Sequence, residues 1–102
     1  MGVVQTRGGI PDVFRASIDT TGRGHRFGFW INWLSIRTTA FVCRLYFTEA
    51  DYTANQNYVV VPVPAADAPH GEWEGPVEAN QVWLRGVGGT AVVEMVGFQR
   101  RG

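Results

Sequence analysis

Cys43, His25 and His70 are the residues of this chain best suited to nucleophilic or metal chemistry, and it has no second cysteine. A thiolate beside an imidazole makes a nucleophilic pair, but the thiol must ionise, which calls for a polar or electropositive setting. Cys43 instead stands within FVCRLYF, where an extended backbone turns it to the same side as Phe41, Leu45 and Phe47. A thiol on such a face stays protonated and packs as a small hydrophobe. Ser17 and Ser35 lie in no nucleophile elbow. His70, Glu72 and Glu74, in HGEWE, project together if that stretch is extended, and imidazole and carboxylate at this spacing are metal-ligand types. A solvated loop is the simpler account, so no metal is assigned. Asp12, Asp19, Asp51 and Asp67 are scattered, so no carboxylate pair is identified. The sequence contains no phosphate-binding glycine loop, dinucleotide fingerprint, HExxH or EF-hand pattern. No catalytic residue and no cofactor follow from it, and the expectation is a protein that is not an enzyme.

The aromatic residues carry more information. Six Phe, four Trp and three Tyr are a heavy load for 102 residues, whose interior is small. Some of them are expected at a contact surface. Trp73, between two glutamates, reads as the exposed one, and a large aromatic in that position marks a protein or ligand contact. Trp30 and Trp33 read as core or subunit packing. Trp30, Trp73 and Trp83, with Tyr46 or Tyr58, also offer a platform for sugar rings. Arg100 and Arg101, beside Arg85, make a small basic edge suited to salt bridges at a subunit seam. The expected interaction surface is therefore Trp30, Tyr46, Trp73, Trp83, Arg100 and Arg101.

These side chains need extended elements to position them. Residues 39–48, TAFVCRLYFT, alternate with period two, which predicts a central or near-central strand. Its second face carries Ala40, Val42, Arg44 and Tyr46, open to another subunit. Residues 13–19 read as a strand and 20–24 (TTGRG) as a turn. Residues 25–36, HRFGFWINWLSI, are apolar on both faces, which predicts a strand buried on both sides, between layers or between subunits. Residues 49–54 predict one short helical turn. Residues 58–63 predict a strand that ends or lies at an edge, because Pro62 and Pro64 cannot donate to a ladder. Residues 65–75 read as a long loop, 76–79 as a short strand and 80–81 as a turn. Residues 82–85 and 90–98 read as a hairpin around GVGG. The whole predicts an all-β domain, a small sandwich or jelly roll of about six to eight mostly antiparallel strands over residues 12–102. Residues 1–11 form an arm ahead of it.

Composition narrows the class further. Hydrophobic residues make up 45% and charged residues 18%, which excludes a disordered chain. Nine basic residues balance nine acidic ones. A zero net charge gives no long-range field for nucleic acid or an anionic membrane. It also leaves an aromatic-rich surface poorly protected against association, which favours ordered self-assembly. No apolar run approaches the roughly 20 residues of a membrane span. MGVVQT matches the loose myristoylation pattern at Gly2 and Thr6, but no basic cluster follows to support a lipid anchor.

The C-terminal part adds a likeness. Residues 45–62, LYFTEADYTANQNYVVVP, and 73–102, WEGPVEANQVWLRGVGGTAVVEMVGFQRRG, resemble small all-β structural proteins of tailed bacteriophage particles, at the head surface (decoration proteins) or in the tail. The shared order is an extended strand, a polar crossover, a GP-E segment, the VWLRGVGGT stretch and a final strand. The resemblance implies a virion protein without catalysis, made in the host cytoplasm, that decorates, cements or attaches to a larger shell. Its partners would be further copies of itself, with a trimer suited to three-fold positions, and a capsid or tail protein. The rival expectation is a carbohydrate- or receptor-binding β-sandwich module built on the aromatics around Trp73.

Overall fold

The computed structural model describes residues 11–62 and 71–99. The 1–11 arm ahead of Pro11, together with residues 63–70, Arg100 and Arg101, lies outside the described residues. Among the described residues the chain is all-β with one short helix. Its elements are β1 (Asp12–Ile18), β2 (Arg23–Thr38), β3 (Val42–Tyr46), α1 (Glu49–Ala54), β4 (Val59–Val61), β5 (Gly71–Val87) and β6 (Ala91–Phe98). All six described strands belong to one antiparallel sheet in the order β1-β6-β2-β5-β3-β4.

Among the described residues α1 has no buried residue of its own and packs at Tyr46 on the outer side, so the sheet covers its own apolar face. It does so by curling. Ile18, Phe27, Leu34, Cys43, Leu45, Val61, Leu84 and Met95, drawn from every strand, join a single buried cluster. Strands that are not neighbours in the order touch across it: β1 meets β5, and β3 meets β6. At one end the curl almost closes, where the Gly86 N–H donates to Asp19 O at 2.8 Å. The all-β class is as expected, and the six described strands join one sheet folded over its core.

β2 makes this possible. It runs for 16 residues, and its core-facing positions change parity: Phe27 and Ile31 are buried in the first half, Leu34, Ile36 and Thr38 in the second. The change falls where its pairing with β5 slips, between Arg26 and Ile31 and again between Ile31 and Trp33. Irregularities of this kind bend a strand and raise its twist. The two apolar faces of residues 25–36 are thus one core face that switches sides, rather than two faces buried at once. Trp30, on the outside at the bend, is 55% exposed.

Three further expectations change. Residues 71–75 belong to no loop, and no turn falls at 80–81: β5 is continuous from Gly71 to Val87. Gly75 leaves the slot in which the Trp73 indole lies, since a Cβ there would meet that ring at 3.2 Å. Pro76 sits where the pairing with β2 slips, a place where a missing N–H is tolerated. Second, β5 and β6 form no hairpin; both flank β2, and residues 88–90 carry the chain across the end of the curl. Third, β3 is shorter than residues 39–48. The buried Thr38 hydroxyl donates to Phe41 O at 3.0 Å and makes a corner of residues 38–41. Phe41, expected in the core, is 45% exposed, and its ring covers Gly89.

The remaining elements follow the sequence pattern. Among the described strands β1 stands at one edge, with Phe14, Ala16 and Ile18 turned inward. β4 stands at the other and is followed by exposed Pro62. α1 starts at Thr48, whose Oγ1 accepts the Asp51 N–H at 3.1 Å. It ends at Asn55, in the left-handed region at φ 55°.

Candidate interaction surfaces

The period-two pattern that buries Ile18, Ile36 and Val93 turns their neighbours outward, and pairing lines those neighbours up. Arg15 on β1 lies opposite Glu94 on β6, Glu94 opposite Arg37 on β2, and Arg37 opposite Glu72 on β5. Four charges of alternating sign thus form one row across four adjacent strands. Arg15 Nε reaches Glu94 Oε2 at 2.5 Å, and Arg37 Nη2 bonds Glu94 Oε1. Desolvation by the sheet pushes the Glu94 carboxyl up, but the Arg37 and Arg15 guanidiniums outweigh it and hold the group below the usual carboxylate range. Beside the row, Ser17, Thr39 and the 47%-exposed Val92 line, with Arg15, Glu94 and Arg37, an open depression of about 460 Å³. Val13, 55% exposed, lies on the same face. This is contact chemistry: ion-pairing groups and bare valines on a broad sheet.

A second cluster covers the outside of β3 and β5. Tyr46 packs edge-on against Tyr52 and Tyr58, with ring centroids 5.5 Å away in both cases. Arg85 lies 4.5 Å over the Tyr52 ring and donates to Tyr52 O at 2.9 Å. Arg44 lies 4.4 Å over Tyr58 and donates to Asn55 Oδ1 at 3.1 Å, an oxygen that also accepts the Tyr46 hydroxyl. Arg44 and Arg85 are direct cross-strand partners, and like charges so placed repel. Cation–π contact and amide oxygens offset that repulsion. Tyr46, expected on an interaction surface, is completely buried as the centre of this cluster. It fastens α1 to the sheet.

The tryptophans separate. Trp73 is half-buried on β5 against the core and tilts onto Phe47. The exposed loop position expected for it is thereby corrected. Trp83 is half-buried and fills the space over Gly24. Trp33 donates its indole N–H to Glu74 at 2.7 Å. Of the residues expected to make a surface, Trp30 alone is both described and well exposed. Arg100 and Arg101 lie outside the described residues, as does His70 of the HGEWE group. Among the described residues no cluster of three or more acidic, His or Cys side chains is placed to hold a metal. Among them, too, no helix is long and apolar enough to cross a membrane.

One pairing escaped the sequence reading. His25 Nε2 lies 3.2 Å from Asp12 Oδ1, and Asp12 Oδ2 accepts the Gly28 N–H at 2.8 Å. The imidazole stacks on Phe14 at 4.2 Å. These residues tie β1 to the first half of β2 across the open side of the curl. Nothing local in the sequence marks a pair 13 positions apart.

Cys43 is buried, as its apolar neighbours required. Burial pushes its thiol from an ordinary value near 9 up to about 11, against the smaller opposing effect of a backbone hydrogen bond from Arg85. At pH 8 native Cys43 should react with a thiol reagent about a hundredfold more slowly than in denaturant. The raised value also has a stability consequence. The folded state holds this proton more tightly, so the contribution is complete below about pH 9 and is lost as pH climbs toward 11. The loss is on the order of 2–3 kcal/mol, and Cys43→Ala should flatten that part of the stability–pH curve. Rapid native labelling would contradict both expectations.

Compared with protein-family models, curated proteins and solved structures, the chain matches none.

Proposed function

We propose that the protein is a non-enzymatic structural component of a virus particle, which associates with itself and decorates or cements a larger protein shell. The observation that carries this reading is the outer face of β1, β6, β2 and β5. There an ordered row of charged groups of alternating sign stands among exposed valines on a broad sheet. A sheet gives such groups fixed spacing, and fixed spacing favours recognition of another fixed surface. The likeness of residues 45–62 and 73–102 to small structural proteins of tailed phage particles supplies the context of the shell. The sugar-platform alternative loses its centre, because Trp73 rests on Phe47 and the core.

Analytical ultracentrifugation at micromolar concentration should give a mass above that of the 11.3 kDa chain. Particles purified from a culture producing the protein should carry it in fixed stoichiometry by mass spectrometry. Deleting residues 2–9, which lie outside the described residues, should weaken attachment to the particle more than it weakens the fold. A monomer at every concentration, absent from particles, would end this proposal.

A further inference from the structure

We infer that the Arg15–Glu94–Arg37–Glu72 row is the contact through which two copies of this chain pair face to face, around a two-fold axis parallel to the strands and lying between β6 and β2. The inference rests on the self-association proposed above and gives it a surface and a symmetry. The order of charge across the four strands is plus, minus, plus, minus. A two-fold axis along the strands reverses that order in the second copy. Arg15 then faces the second copy's Glu72, Glu94 faces its Arg37, and each contact occurs twice. A row of this order is complementary to itself in this orientation. With the axis across the strands, each charge would instead face its own kind, and repulsion would exclude that arrangement. A two-fold contact uses one patch on both partners, so one patch must carry both signs in mirrored order, and this one does.

The surroundings fit. Val92, next to Glu94 on the same face, stands beside the axis, so the two copies of it come together there. It is 47% exposed in the single chain, and the depression it helps to line is open. Arg15 is largely exposed on an edge strand and pairs with Glu94; Glu72 is exposed and lies at the far end of the row. These outer positions can be changed without entering the core. Aligned sheets pack in this manner at about 30° with their side chains between them. The pairing predicts a dimer in place of three-fold closure.

Charge exchange provides the test. In Arg15→Glu the two ends of the row are both negative, and in Glu72→Arg both are positive, so each variant alone should dimerise about tenfold more weakly or worse at low salt. Mixed in equal amounts, the two should form heterodimers at close to the native affinity. The double variant R15E/E72R reads minus, minus, plus, plus and faces its own complement, so it should dimerise again. Its thermal stability, however, should not rise. Within each chain the introduced carboxylate on β1 stands beside Glu94, and the introduced guanidinium on β5 stands beside Arg37. Rescue of dimerisation without rescue of stability identifies a contact between copies rather than within one. A trimeric mass, or dimers indifferent to the single reversals, would overturn the inference and leave the structural role standing. Loss of particle binding with an unchanged dimer would assign the face to the shell and overturn it equally. A monomer throughout would remove the inference and the self-association together.

Discussion

Leu45→Asp should leave no folded domain. Leu45 is completely buried, is paired with Leu84 on one side and Val59 on the other, and belongs to the cluster that every strand supplies. A carboxylate there has no described cation within that cluster and must lose its water or take up a proton. Either course costs several kcal/mol, against a total stability of about 5–15 kcal/mol for a domain of ordinary size. Leu45→Ala, which opens a cavity without adding charge, should cost about 2–5 kcal/mol and still fold. Far-ultraviolet circular dichroism with urea titration separates the two. An L45D protein with a native midpoint would remove β3 from the centre of the core.

The second large effect is expected from the smallest change. Gly86→Ala adds one methyl group, but a Cβ at that position would lie 2.5 Å from Ile18 O and 2.5 Å from Gly89 O. Both are backbone atoms, which cannot rotate aside. The methyl must push the end of β5 away from the end of β1, and it strains the Gly86–Asp19 hydrogen bond that nearly closes the sheet. Overpacking and a weakened buried bond together should cost about 3 kcal/mol. Gly97→Ala is the control. Its Cβ would meet the Phe27 ring at 2.7 Å and Ile31 at 3.0 Å, and those side chains can shift. Its urea midpoint should fall less. Equal midpoints for native protein and G86A would mean that the two strand ends do not need their close approach.

The contrast between these glycines shows what the sequence could convey. Alternation alone was enough to read β1, β3, β4, β6 and the inward side of Cys43 and Leu45, because period two depends only on neighbours along the chain. It also separated the α1 turn from the strands around it. The bend in β2 was not legible, because two apolar faces look the same whether both are buried or one gives way to the other. Gly75 and Pro76 read as loop residues, although one makes room for Trp73 and the other marks a slip in pairing. GVGG read as a hairpin because glycine announces a turn but not which strand lies on its far side. Tyr46 read as a surface residue because its cover, α1, comes from a different segment. The charged row was invisible for the same reason: its four members come from four strands, and only pairing makes them neighbours.

That β6 lies between β1 and β2 has a bearing on when the fold can form. Among the described strands the one ladder that β1 makes is with β6, and it matches Asp12 with Gly97. The first described strand therefore waits, during synthesis, for the last one to be made. Before then β2 has one of its two partners missing and the apolar Ile36 face uncovered. Closing such distant ladders requires the loop entropy to be met before any pairing rewards it, which places a chain of this kind among the slower folders. A nascent chain lacking its final strand presents to the cell an unfinished sheet with a bare edge along β2.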